Sequence, residues 1–198
     1  AERRARARAD LGLDAYRPTL LVSGGSQGAV AINEAVIVAR ERLLADGVQI
    51  LHVLGPKNIQ GATAVTDEST GASWLPVGYV DDMASAYAAA DLMMARSGAG
   101  TVVETATVGL PTIYVPLPHG NGEQARNATL AVYAGAGVVV ANADLDAERL
   151  LAETSRIHDT DALARMSAAG RGLMPAHAAE EMAVRVILAA RSIGPTTV

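Results

Sequence analysis

Two hydrophobic rhythms alternate along the chain. Short apolar runs recur at 19–23 (TLLVS), 49–55 (QILHVLG), 73–80 (SWLPVGYV), 91–97 (DLMMARS), 111–117 (PTIYVPL) and 136–142 (AGVVVAN). Several are continuous rather than alternating, the pattern of strands covered on both faces. Between them lie stretches with apolar residues at helical spacing. The spacing over 31–47 (AINEAVIVARERLLADG) predicts a helix that stops at Gly47. Residues 81–91 and 101–109 predict shorter helices, the second closed by Gly109 ahead of Pro111. A further helix with a glycine-rich end is predicted over 121–137, and from 144 onward the pattern is helical, with breaks near Gly170–Gly172 and Pro175. Strands alternating with helices build βαβ units with right-handed crossovers. The expected fold is one doubly wound α/β domain over 18–198 with about six parallel strands and a helical C-terminal tail. A linker or exposed helix at 1–17 leads into it, and no repeat, low-complexity tract or second domain is visible.

Composition narrows the core. Of 198 residues half are hydrophobic, yet Phe is absent and aromatics make up 3%. The interior must therefore be built from Ala, Val, Leu, Ile and Met, which suits helices packed on a parallel sheet. A net charge of −5 gives no electrostatic footprint for nucleic acid. The absence of Cys removes disulfides, zinc–thiolate sites and thiol nucleophiles, and fits a cytoplasmic protein. No run reaches the roughly 18 apolar residues needed to cross a bilayer. The opening AERRARARADLGL is charged, lacks the apolar segment of a secretory signal and does not start with Met, so a fragment or processed chain is expected.

Three polar segments follow predicted strands. SGGSQGA (23–29) joins the first strand to the first helix and contains Gly25, Ser26 and Gln27. Glycines there let the backbone approach a ligand, and free N–H groups at a helix start attract an anion. The spacing is neither G-x-G-x-x-G nor a P-loop, so a tight turn needing glycine for sterics alone is the alternative. RSGAGT (96–101) repeats the arrangement after the fourth strand, with Ser97, Gly98, Ala99, Gly100 and Thr101 offering amides and two hydroxyls. Glu104 lies one helical turn beyond Thr101. A carboxylate there can accept hydrogen bonds from the vicinal hydroxyls of a ribose, although a solvated helix glutamate explains it equally. PLPHGNGEQARNA (116–128) is dense in His119, Asn121, Glu123, Gln124 and Asn127, side chains suited to sugar hydroxyls or to an exposed loop. His52 reads as a strand-face residue, Asp81 and Asp82 as helix N-caps. No cluster has metal-ligand spacing, and no serine–histidine–acid order appears.

Taken together, GGSQGA (24–29) followed by Ile32 and Asn33, YVDDMASAYAAAD (79–91), RSGAGTVVE (96–104), GLPTIYVPLPH (109–119) and EQARNA (123–128) resemble the donor-binding, Rossmann-like C-terminal half of the GT-B glycosyltransferases. Within that family the resemblance is to members that move N-acetylglucosamine from UDP-GlcNAc to a lipid-linked muramyl pentapeptide in peptidoglycan synthesis. It implies that Gly25, Ser26 and Gln27 sit by the UDP diphosphate, with Ala99, Gly100 and Thr101 on the same group. Glu104 would take the ribose, the backbone of Tyr79 and Val80 the uracil, and Glu123, Gln124, Asn127 and His119 the sugar. Glu123 stands where the family often has a neutral or imidazole side chain, and Gly100 where it often has a bulkier one. The resemblance further implies an inverting reaction with UDP-GlcNAc as substrate and neither cofactor nor metal. No catalytic residue is expected in this half. The base, the lipid acceptor site and the contact with the inner face of the plasma membrane would belong to the other half. The isolated chain is expected to bind UDP but transfer no sugar. A donor-binding subunit of a split transferase and a UDP-sugar epimerase or glycolipid hexosyltransferase are the alternatives.

Overall fold

The computed structural model describes residues 2–25, 29–119, 121–174 and 177–192. Seven strands form one sheet: β1 (Thr19–Ser23), β2 (Gln49–Val53), β3 (Val65–Thr66), β4 (Ser73–Val77), β5 (Leu92–Ala95), β6 (Thr112–Tyr114) and β7 (Gly137–Val139). Their order is β3-β4-β2-β1-β5-β6-β7. Every neighbouring pair is parallel except β3 with β4. Six parallel strands therefore fall where the apolar runs placed them. The antiparallel β3 is an addition, and its two exposed residues left no apolar run to read.

All residues of β1, β2, β5 and β6 are buried, which is why their sequences run apolar without alternation. One face packs Leu20, Val22, Ile50, Met94 and Ile113 beneath α2 (Val30–Ala45) and α6 (Ala147–Thr154). The other packs Leu21, Leu51 and Met93 against Ala86 and Ala89 of α3 (Met83–Ala89) and Ala7 of α1 (Glu2–Asp10). On that face Tyr114 meets Val102 of α4 (Ala99–Val108) and Ala128 and Ala131 of α5 (Glu123–Tyr133). Its hydroxyl pairs with Thr105 Oγ1 at 2.8 Å, fixing α4 over β6. Alanines facing the sheet let these helices approach closely in a core without Phe. The tail is α7 (Thr160–Arg171) and α8 (Ala178–Ser192). At the end of α4, Gly109 takes φ 68°, and a Cβ there would stand 2.8 Å from Ser167 O of α7.

The leading segment is a helix, docked along one side rather than free. Arg8 is only 4% exposed. Its guanidinium meets Asp91 Oδ2 at 2.6 Å and donates to Ala89 O and Ala15 O. Asp91 also accepts from Arg4 at 2.6 Å and from the Thr19 amide at 2.8 Å, tying α1 to the start of β1. Asp82 caps α3 as expected, accepting from Ser85 N. His52 is fully buried within β2. The indole N–H of Trp74 donates to its Nδ1 at 3.2 Å, so its Nε2 carries the proton and donates to Asn33 Oδ1 at 3.1 Å.

The connections from β1 and β5 diverge. The chain leaves β1 through α2 toward β2 and β4, then returns by α3 to β5 on the other side of β1. A crevice opens at the carboxyl ends of strands where the order reverses in this way, and such crevices hold ligands.

Candidate functional site

Both glycine turns start at that crevice. Ser23, the last residue of β1, is in register with Ala95, the last of β5. The next amide, Arg96 N, donates to Ser23 O at 3.4 Å. Neighbouring strands lie about 4.8 Å apart, so the two turns leave the sheet side by side. In the first, Gly25 has φ 80°, and a Cβ added there would meet no atom within 4 Å, so conformation rather than crowding requires glycine. α2 then begins behind Ala29, whose side chain supplies no cap bond. Ser26 and Gln27, expected at the diphosphate, lie outside the described residues.

In the second turn the N-cap of α4 is Gly98, which has no side chain to cap with. The first-turn residues Ala99, Gly100 and Thr101 therefore bring their amides to the helix start without a side-chain acceptor at the cap, the usual makings of an anion site. Ala99 and Gly100 are exposed. Beneath them Ser97 is completely buried, and its hydroxyl has no hydrogen-bond partner among the described residues. An unsatisfied buried hydroxyl costs about 1–3 kcal/mol, so its retention at a helix start needs a reason.

The third polar segment is laced onto this turn. Asn127 Nδ2 donates to Ser97 O at 3.1 Å, and Gln124 Oε1 accepts from Leu117 N at 3.0 Å. Both side chains were expected on the sugar, and each commits one polar atom to holding the loop. Gln124 Nε2 and Asn127 Oδ1 have no hydrogen bond among the described residues. His119 and Glu123 are exposed on the same connection, Glu123 opening α5 behind Gly122. Arg96 went unnoticed in the sequence, although it directly precedes the turn. Its Nη1 donates to Val115 O at 3.0 Å and Pro116 O at 3.1 Å, and burial lowers its pKa. It clamps the end of β6 to the end of β5 and has no carboxylate partner among the described residues.

Glu104 stands on the exposed side of α4. Its Oε2 accepts from the Tyr87 hydroxyl of α3 at 2.7 Å, a contact that no periodicity links across 17 residues. Burial and the neighbouring carboxylate raise the Tyr87 pKa, so the phenol keeps its proton and donates it. Tyr79 is 62% exposed and Val80 half-buried, after β4. They border a cavity of about 380 Å³ with Leu51, Leu75 and Val77, rimmed by Asp10, Asp81 and Asp82. A second cavity, of about 340 Å³, lies between α2 and α6 and touches none of the predicted site residues. Among the described residues no group of three or more His, Cys, Asp or Glu side chains is arranged to hold a metal ion.

Residues 19–183 match the model of the Glycosyltransferase family 28 C-terminal domain. The chain belongs to this family. A relative from Cutibacterium acnes, named UDP-N-acetylglucosamine--N-acetylmuramyl-(pentapeptide) pyrophosphoryl-undecaprenol N-acetylglucosamine transferase, is 89% identical over 196 residues, covering 99% of this chain and 53% of that protein. A protein of the same name from Nocardioides sp. is 48% identical over 189 residues, 95% of this chain and 51% of its own. The crystal structure of Acinetobacter baumannii MurG superposes with a TM-score of 0.72 at 27% identity, covering 84% of this chain and 50% of that one. The chain thus has the fold of a GT-B C-terminal half and spans about half the length of the curated relatives it matches. No helix among the described residues is long and apolar enough to cross a membrane.

Proposed function

We propose that this chain is the donor-binding half of an inverting transferase that moves N-acetylglucosamine from UDP-GlcNAc to a lipid-linked muramyl pentapeptide. The observation that carries the reading is the register of Ser23 with Ala95, which brings two glycine turns to one crevice of a family 28 domain. The diphosphate lies between the turns, against Gly25, Ser26 and Gln27 on one side and the Ala99, Gly100 and Thr101 amides on the other. The orphaned Ser97 hydroxyl completes its bonding from below. Glu104 takes the ribose hydroxyls and the Tyr79–Val80 backbone the uracil edge. Gln124 and Asn127 use their uncommitted polar atoms on the sugar, with Glu123 and His119 at its margin.

Departure of the sugar leaves negative charge on the diphosphate while the anomeric carbon gains positive character. The amino ends of α2 and α4 carry fixed positive potential that strengthens against that charge as it develops. On this reading those helix starts do the work a metal ion does elsewhere. The base, the lipid acceptor and attachment to the inner face of the plasma membrane come from the remaining half. Calorimetry of the chain with UDP and UDP-GlcNAc, with and without EDTA, tests the donor half, and saturable binding insensitive to EDTA is expected. Offered UDP-GlcNAc and the lipid acceptor, the chain alone should transfer no sugar. Robust turnover would refute the division of labour.

A further inference from the structure

We infer that Tyr87 is a positioning residue that aims the Glu104 carboxylate, making this site discriminate a ribonucleotide from its 2′-deoxy counterpart. The inference rests on the donor-site reading above, since it assumes that Glu104 meets the ribose.

The two side chains come from different helices. Tyr87 belongs to α3 and Glu104 to α4, and the 2.7 Å bond from the phenol to Oε2 ties them together. The other oxygen lies beside the first turn of α4, since a Cβ on Gly100 would stand 3.8 Å from Oε1. The carboxylate is thus strung between α3 and the first turn of α4, with one oxygen secured and the other turned toward the bare backbone of the anion-binding turn. The anchor is itself held, since Ala86 and Ala89, flanking Tyr87 on α3, are buried against the sheet.

An exposed glutamate samples many rotamers, and ordering a single one costs side-chain entropy. A carboxylate already held in its binding rotamer does not meet that cost when the ligand arrives. Bonds to a carboxylate are stronger than neutral ones and depend on direction. The Tyr87 bond leaves Oε1 and the second lone pair of Oε2 as acceptors separated by a fixed distance. That arrangement suits two hydroxyls on adjacent carbons. Removal of the 2′-hydroxyl leaves one acceptor unmatched only if the carboxylate cannot swing to compensate. Tyr87 is what prevents the swing.

The test is calorimetry with UDP and 2′-deoxy-UDP on the chain and on its Tyr87→Phe and Glu104→Gln variants. The unsubstituted chain should prefer UDP by about tenfold, the effect of one hydrogen bond to a charged acceptor. Tyr87→Phe should weaken UDP about fivefold and leave 2′-deoxy-UDP nearly unchanged, so that most of the preference is lost. A merely structural tyrosine would weaken both nucleotides equally. Should Tyr87→Phe fail to fold, Tyr87→Leu, which fills the same half-buried position without a donor and leaves Glu104 intact, should lose the preference in the same way. UDP binding with an unchanged preference in these variants overturns the inference alone. Absence of UDP binding by the unsubstituted chain removes the donor-site reading and the inference with it.

Discussion

The buried imidazole of His52 makes the fold sensitive to acid. Its surroundings are dry, and both ring nitrogens are already matched, Nδ1 accepting from Trp74 and Nε2 donating to Asn33. Protonation would charge a ring with no exposure to water and turn Nδ1 into a donor facing a donor. Burial accordingly pushes its pKa from 6.5 down to about 4. In the unfolded chain the ring titrates near 6.5, so above that pH neither state binds the proton and His52 gives no pH dependence. As pH falls below 6.5 the unfolded state takes up a proton that the folded state refuses, and stability falls until the folded ring titrates near pH 4. Linkage puts the loss at about 2 kcal/mol by pH 5 and about 3 kcal/mol by pH 4. The assay is urea unfolding at pH 7, 6 and 5 for the chain and for His52→Gln, whose amide does not titrate. The variant should start less stable at pH 7 and show a shallower loss between pH 7 and 5, by about 2 kcal/mol. Equal slopes, or a His52 imidazole resonance that titrates near 6.5 in the folded chain, would refute the reasoning.

Three further outcomes follow from single contacts. Asp91→Ala should destabilise the chain by about 3–5 kcal/mol in urea unfolding, because it strands the 4% exposed Arg8 guanidinium and releases α1. Glu104→Ala should weaken UDP by about 10- to 100-fold in calorimetry, the loss of a charged hydrogen bond to ribose, with little change in melting temperature. Ser97→Ala removes a hydroxyl that has no partner among the described residues, so stability should hold or rise by up to about 1 kcal/mol while UDP affinity falls about fivefold.

The sheet was legible because β1, β2, β5 and β6 are buried on both faces and so write continuous apolar runs. β3 was not, since two exposed residues at a sheet edge carry no such signal. Helix α1 was readable as a helix but not as a docked one. Its contact depends on Arg8 reaching Asp91, and a charged sequence such as ERRARARAD looks solvated until the partner 83 residues away is known. At the site, glycine turns after apolar runs marked the crevice where the strand order reverses between β1 and β5. Side-chain roles were harder to read. Gln124 and Asn127 share a helix face, as their spacing says, yet part of each is spent on Leu117 N and Ser97 O. Arg96 and Tyr87 act across elements, through backbone carbonyls and a partner on another helix, and spacing along the chain holds no trace of such bonds.

The central claim is that the turns after β1 and β5 close on one diphosphate. It is tested most directly by titrating the ¹⁵N-labelled chain with UDP and following the backbone amides of residues 24–29 and 98–101. Both groups should shift together along one saturation curve with a single dissociation constant. Shifts confined to one turn, or two turns saturating at different UDP concentrations, would contradict it.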